Sequence, residues 1–299
     1  MKILVIGVGG IGGFIGSFLH NAGLQITFIA RNKRLDFLKK NGLILQSSIK
    51  NIECSKLNVF NSIKDGESFD IIINTVKLYD FDSTFSEIKN KIDGKFVLLP
   101  FQNGIYAEEE IKRNLGIENT YGAVAQISSY VNDKQIIKHV GKLATFFVGK
   151  YDNSNDNKVE KFCKICQKSG LDFRFKNNIK EKIWEKFVFL SAYSGMTTLT
   201  QKTIGEIFSN DLLKDKFITA MQETYNLARA YKVEFKNNPI EFWLQKIEKM
   251  PYEMTSSMFV DFKKKKRLEL HWLSGSLVKN SQEFGLNMKV HKEIVKGII

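Results

Sequence analysis

The chain has 299 residues, 43% of them hydrophobic and 26% charged, the balance of a soluble globular protein large enough to bury a sizeable core and to form two domains. Its formal net charge is +13, but the basic residues are spread along the whole length and no nucleic-acid fold motif accompanies them, so neither nucleic acid nor a membrane surface is expected as a partner. Three cysteines, an odd and low number with no signal peptide, point to a reducing cytoplasm rather than a disulfide framework.

The first element is the stretch "ILVIGVGGIGGFIGSFL", residues 3–19, which carries no charge. Its length approaches that of a bilayer span, Lys2 resembles the basic start of a signal peptide, and Gly9/Gly13 and Gly12/Gly16 have the spacing of a transmembrane packing motif. Six of the seventeen residues are glycine, however, and each costs a helix interior about 1 kcal/mol relative to alanine. No cleavage site follows, and a second apolar run begins after His20 and Asn21. The stretch divides better into a buried strand, "KILVIG", the turn Gly7-Val8-Gly9-Gly10-Ile11-Gly12, and a helix with small residues on its sheet-facing side. This is the strand–turn–helix context of the dinucleotide fingerprint G-x-G-x-x-G. Gly7 serves the tight turn, Gly9 leaves room for the pyrophosphate, Gly12 lets helix and strand pack closely, and the N–H groups of Gly10 and Ile11 at the helix start attract the anion.

The second strand, "LQITFIA" at residues 24–30, ends at Arg31, with Lys33 and Arg34 close behind. A site for NAD ends this strand with a carboxylate that binds the ribose hydroxyls, whereas a guanidinium grips a 2′-phosphate with two parallel hydrogen bonds. NADP(H) is therefore the expected cofactor, with Arg31 its selector. "FDIIINTVK" (69–77) and "KFVLLP" (95–100) read as further buried strands, each followed by helical patterning, which makes the sheet mostly parallel. Ligands bind at the carboxyl ends of such strands, where Lys77 and Gln102-Asn103-Gly104 fall. "TYGAVAQISSYV" and "QIIKHVGKLATFFVGK" read as paired strands, followed by a helix at about 155–169 and the strand "LDFRFK". Cys163 and Cys166 have redox or zinc spacing, but no second cysteine pair exists, and they share a helical face with Val159 and Phe162, so they are read as core; no metal is expected.

From "IKEKIWEKFVFLSAY" onward the pattern is helical, with amphipathic stretches at about 180–194, 211–231 and 267–284. The expected architecture is α/β: an N-terminal Rossmann-type doubly wound sheet, residues 1–177, followed by an all-α domain, residues 178–299, with the active site in the cleft between them. The run "KKKKR", Lys263–Arg267, reads as a solvated helix end or turn.

The sequence resembles the ketopantoate reductase family (2-dehydropantoate 2-reductase) along most of its length. The matching residues are the Gly7–Gly12 fingerprint, Arg31, Lys77 in "TVKLYD", "QNG" at 102–104, "IWEKF" at 183–187, "SSMFVDF" at 256–262 and Glu269 in "RLELHWLSG". The resemblance implies NADPH-dependent reduction of ketopantoate to pantoate on the route to coenzyme A. It makes Lys186 the general acid, an ammonium that polarises the ketone and protonates the new alkoxide. It assigns substrate binding to Asn103, Ser257 and Glu269 along with Lys186, counts Glu269 with the catalytic residues, and places Lys77 and Asn103 at the cofactor. A cation where hydride transfer builds charge on oxygen is sound chemistry.

The chain also departs from that family's pattern. Leu190 and Ser194 stand where asparagines are usual one and two turns beyond the lysine, and Ser274 replaces a later one. Leu190 cannot hydrogen-bond a substrate hydroxyl. Two alternatives therefore stand beside ketopantoate reduction: NADPH-dependent reduction of a different 2-oxo acid, and a non-catalytic NADP(H)-binding protein. A homodimer is left open.

Overall fold

The structure is a computed structural model and describes residues 1–298. The chain divides into two compact units, one of Met1–Gln102 with Ala107–Ile179, the other of Asn103–Tyr106 with the chain from Lys180 onward.

The first unit carries β1 (Ile3–Ile6), α1 (Gly10–Asn21), β2 (Ile26–Ile29), α2 (Asn32–Asn41), β3 (Leu43–Ser47), β4 (Ile52–Cys54), β5 (Asn58–Phe60), β6 (Ile71–Asn74), α3 (Phe81–Lys91), β7 (Val97–Pro100), α4 (Tyr106–Leu115), β8 (Tyr121–Val131), β9 (Ile137–Lys150), α5 (Asn157–Lys168) and β10 (Asp172–Phe175). One sheet has the order β5-β2-β1-β6-β7 with every pair parallel, the Rossmann-like arrangement expected. β1, β6 and β7 are buried at every position, which is why they are runs of Ile, Leu and Val rather than alternating patterns.

A second, mixed sheet has the order β10-β9-β3-β4, with β8 antiparallel to β9. The sequence reading finds β8, β9 and β10 but no strand between residues 30 and 69, where the structure has β3, β4 and β5. Those strands are only three to five residues long, too short for alternation to register. The N-terminal fold is thus a parallel sheet joined by a second sheet rather than one doubly wound sheet alone.

α1 explains the composition of the opening stretch. It packs against both sheets: a Cβ on Gly16 would run into the Phe28 ring of β2, and one on Gly13 into Ile137 of β9. Phe14, Ile15, Phe18 and Leu19 are buried between them. A helix covered on two sides is apolar all round, and glycines admit its neighbours closely, so it mimics a membrane segment without being one. Among the described residues no helix is long and apolar enough to cross a membrane. Cys163 and Cys166 lie buried on the face of α5 with Val159 and Phe162, and burial pushes the Cys163 thiol up to about 12.

The second unit is helical: α6 (Ile179–Thr200), α7 (Ile204–Phe208), α8 (Asp211–Ala230), α9 (Pro239–Ile247), α10 (Ser257–Lys263), α11 (Ser274–Asn280) and α12 (Lys289–Ile298). α6 is central. Phe189 stacks on Trp243 of α9 with ring centroids 4.4 Å apart, and the Ser191 hydroxyl meets Thr224 of α8 at 2.8 Å. A Cβ on Gly195 would lie 2.6 Å from Ile294 of α12.

The helix expected at 267–284 is a correction. Residues 264–273 form a loop and turn, and the helix begins only at Ser274. Lys265 sits at φ +51°, outside the helical region, and the Trp272 and Leu273 N–H groups both donate to the Glu269 carbonyl. The turn still sends Leu270, Leu273 and Leu277 into the core, and that spacing imitates a helical stripe. The basic run ends α10 and forms the following turn, with Lys263 over the Phe259 ring.

Candidate functional site

In the first unit the glycine loop joins β1 to α1. Gly7 sits at φ +87°, and a Cβ there would lie 2.9 Å from the Val76 nitrogen beyond the end of β6. Gly12 faces the Gly7 carbonyl and the Thr75 hydroxyl too closely for any side chain. Gly9, the residue preceding α1, is the opposite: a Cβ there would meet nothing within 4 Å. The Gly9 N–H finds no protein acceptor among the described residues. Open space over a glycine, beside the start of a twelve-residue helix, is where a pyrophosphate fits. The residues present therefore suit a dinucleotide. Ile11 is half-buried on the apolar face of α1.

Gly10 has a role the fingerprint does not specify. A Cβ on it would overlap the Ser129 carbonyl of β8, and the Ser129 hydroxyl donates to the Gly10 carbonyl at 3.1 Å. The second sheet thus rests directly on the loop.

Arg31 lies at the end of β2, just before α2, as expected. Its side chain is 49% exposed, and its guanidinium pairs with Glu87 of α3 at 3.2 Å. Glu87 also accepts from the Ile63 N–H at 2.8 Å, so the carboxylate is fixed from two sides. Lys77 is half-buried beyond the end of β6, at the start of a short helical turn, Leu78–Asp80. Beside it the Gln102 amide donates to the Val76 carbonyl at 3.0 Å.

The second unit brings Asn103 and Lys186 together. Gly104, at φ +84°, lets the chain turn sharply against α6, and a Cβ there would lie 3.4 Å from both Phe187 and Leu273. That seating places Asn103 beside the helix. The Lys186 ammonium, half-buried on α6, donates to Asn103 Oδ1 at 2.8 Å. Glu269 is buried, 7% exposed, in the turn whose Leu273 packs on Gly104. The sequence alone reads it as a solvated helix charge, and the structure corrects both words. Ser257 is exposed at the first position of α10; its neighbour Ser256 caps that helix and bonds Thr197 at 2.7 Å.

The three departures from the family pattern separate by position. Leu190 is half-buried one turn beyond Lys186, on the same side of α6. Ser194 is buried. The Ser274 hydroxyl meets His291 Nδ1 at 3.2 Å in the core. His291 is fully buried, its other ring nitrogen meeting the Thr224 hydroxyl at 3.0 Å, and burial pulls it down to about 4, so it is neutral.

Sequence reasoning misses Glu87, Ser129, Arg34 and His291 as members of these arrangements. Only Arg34 carries a signal: a second cation in the first turn of α2, where the helix dipole disfavours it.

Comparison with known proteins places the whole chain among relatives of one family. The family model described as "Ketopantoate reductase PanE/ApbA" matches residues 3–153, and its C-terminal companion matches 178–298. The chain is 28% identical to "Uncharacterized oxidoreductase YkpB" of Bacillus subtilis, covering 100% of this chain and 98% of that one. It is 27% identical to a 2-dehydropantoate 2-reductase of Archaeoglobus fulgidus, covering 99% and 97%. Among solved structures, a 2-dehydropantoate 2-reductase of Geobacter metallireducens superposes with a TM-score of 0.90 at 20% identity, covering 100% and 99%. D-mandelate dehydrogenase with NADH and anilino(oxo)acetate superposes with a TM-score of 0.88 at 20% identity, covering 100% and 97%. With both of its halves matched by the family models, the chain belongs to the ketopantoate reductase PanE/ApbA family.

Proposed function

We propose that this protein is a cytoplasmic NADPH-dependent 2-dehydropantoate 2-reductase that reduces the ketone of ketopantoate to the alcohol of pantoate. Residues 1–177 bind the cofactor, and the helical remainder, with Asn103, handles the substrate. The observation that carries the reading is the Lys186–Asn103 hydrogen bond at 2.8 Å, an ammonium fixed on a rigid central helix by a neutral amide. An ammonium has three N–H donors, and the one that reaches the Asn103 amide oxygen fixes its position beside the Asn103-Gly104 turn.

A dinucleotide bound at the glycine loop would supply the hydride. The chain supplies the rest. The N–H groups at the start of α1 hold the pyrophosphate, and Arg31 takes the 2′-phosphate. Lys77 lies near the nicotinamide. Lys186 polarises the ketone and gives its proton to the oxygen as negative charge forms there. Asn103 fixes the lysine and hydrogen-bonds the substrate. Glu269 and Ser257 complete the acid's binding site.

Leu190 favours a second reading, reduction of a 2-oxo acid with an apolar side chain. It stands one turn from Lys186 and offers no hydrogen bond. Loss of NADPH absorbance tests both. Oxidation with ketopantoate, and not with 3-methyl-2-oxobutanoate or phenylglyoxylate, supports the first; the reverse supports the second. Tight NADPH binding with no turnover on any oxo acid overturns both in favour of a non-catalytic nucleotide-binding protein.

A further inference from the structure

Arg34 is not part of the glycine fingerprint, yet it is bonded to it. Its Nε donates to the Val8 carbonyl at 2.7 Å, and its Nη1 donates to the Gln135 carbonyl. Its Nη2 is buried without a hydrogen-bond partner, so the guanidinium is held by its two hydrogen bonds and by the Phe37 ring, 5.8 Å from its centre, rather than by solvent. Gln135 closes the β8–β9 turn. That turn is itself fixed: the Gln135 N–H donates to the Asn132 carbonyl at 2.9 Å, and the Asn132 side chain accepts from the Ile136 N–H at 2.9 Å. The arginine therefore bridges the nucleotide loop and the second sheet, alongside the Ser129–Gly10 bond.

The geometry has a consequence for the anion. Val8 C=O and Gly9 N–H belong to one trans peptide, so they point in opposite directions. Holding the carbonyl toward Arg34 turns the Gly9 N–H away from it, and that N–H meets no protein acceptor among the described residues. A cation on the carbonyl also polarises that peptide and strengthens its N–H as a donor.

We infer that Arg34 is a positioning residue for the cofactor: it sets the Val8–Gly9 peptide so that the loop presents its N–H to the pyrophosphate. It acts through the backbone and does not touch the 2′-phosphate, which distinguishes it from Arg31. The inference rests on the dinucleotide reading of the loop.

Titration calorimetry with NADPH, NADH and ADP-ribose tests it, since all three carry the pyrophosphate and only NADPH carries the 2′-phosphate. Arg34→Met weakens all three alike, by about 10-fold or more, the worth of a hydrogen bond to a charged group. Arg34→Lys, which keeps one donor, recovers part of the loss. Asn132→Ala, which loosens the turn and leaves the guanidinium, gives a smaller loss in the same pattern. Arg31→Ala weakens NADPH alone. A purely structural Arg34 lowers the melting temperature and the active fraction but leaves the affinity of the folded protein within twofold, which overturns the inference. Loss confined to NADPH overturns it too, by making Arg34 a 2′-phosphate ligand. Failure of the unmutated protein to bind any of the three overturns the dinucleotide reading itself.

Discussion

In the proposed reductase the glycine loop and the Lys186 site would do comparable electrostatic work with different materials. The loop is backbone: its donors are N–H groups that any residue has, and its glycines matter because they keep side chains out. The Lys186 site is side chains: an ammonium on α6 and an amide brought to it by the Asn103-Gly104 turn. The first kind of site is damaged by adding atoms and the second by removing them. A set of substitutions can therefore break the two regions independently.

The largest effect belongs to the side-chain region. Lys186→Ala removes the proposed proton donor, and with it the proposed charge on the developing alkoxide, and should lower kcat by about a thousandfold, within the usual span for a positioned acid. NADPH affinity should stay within about twofold, because the loop of the first unit is untouched. Steady-state turnover with separate calorimetry of NADPH checks both. Near-normal turnover would place proton donation elsewhere.

Next come two adjacent glycines that separate binding from stability within the backbone region. Gly9 has φ −87°, which alanine accepts, and open space where its Cβ would go. Gly9→Ala should leave the melting temperature nearly unchanged and weaken NADPH by about tenfold or more, the loss of a good hydrogen bond to phosphate. Gly10→Ala places its methyl on the Ser129 carbonyl, so the loop or β8 must shift, at about 1–3 kcal/mol of stability. If Gly9→Ala unfolds and Gly10→Ala does not, the packing attributed to the loop is reversed.

The two regions also differ in how much of them the sequence reveals. A backbone site imposes glycine at fixed spacing within a few consecutive residues, so Gly7, Gly9 and Gly12 are recognisable in place. The strands β1, β2, β6 and β7 are legible for a similar reason, since burial on both faces leaves little but Ile, Leu and Val. The Lys186 site draws on residues more than eighty positions apart, and no local pattern joins Asn103 to Lys186; only family resemblance does. Glu269 was harder still. The turn that buries it places Leu270, Leu273 and Leu277 at helical spacing, so periodicity assigned it to the surface of a helix that does not exist. Arg34 and Ser129 act across the gap between two sheets, and the strands that form much of the second sheet are too short to read.

A pH-dependent effect, in which two buried groups partly cancel, sharpens the side-chain region further. His291 is neutral in the fold, its pKa drawn down to about 4 from 6.5 by burial, while Thr224, Ser274 and the Ala220 carbonyl surround its ring. Between those two values the unfolded chain binds a proton that the folded chain refuses. Stability must therefore be fully present above pH 6.5 and fall as the pH drops toward 4, by up to about 3 kcal/mol. Glu223, which accepts from the Val290 and His291 N–H groups, opposes this slope: burial raises its pKa, so it favours the fold at the acid end. Urea unfolding from pH 4.5 to 7.5 measures the sum. Glu223→Gln should steepen the slope and His291→Gln should flatten it. A slope left unchanged by His291→Gln would mean that His291 is not held neutral.

The smallest effect tests the ion pair beside the backbone region. Arg31 cannot serve a 2′-phosphate and Glu87 with full strength at once, and Glu87 already receives the Ile63 N–H. With one partner half exposed, the ion pair is worth no more than about 1 kcal/mol, so its removal should barely move the melting temperature. Glu87→Gln keeps an oxygen for the Ile63 N–H and releases the guanidinium. NADPH should then bind about two- to fivefold more tightly, the same free energy expressed as affinity, with NADH unchanged. Equal changes for both nucleotides would show that Glu87 acts on the fold rather than on Arg31, and would leave the 2′-phosphate without its proposed partner.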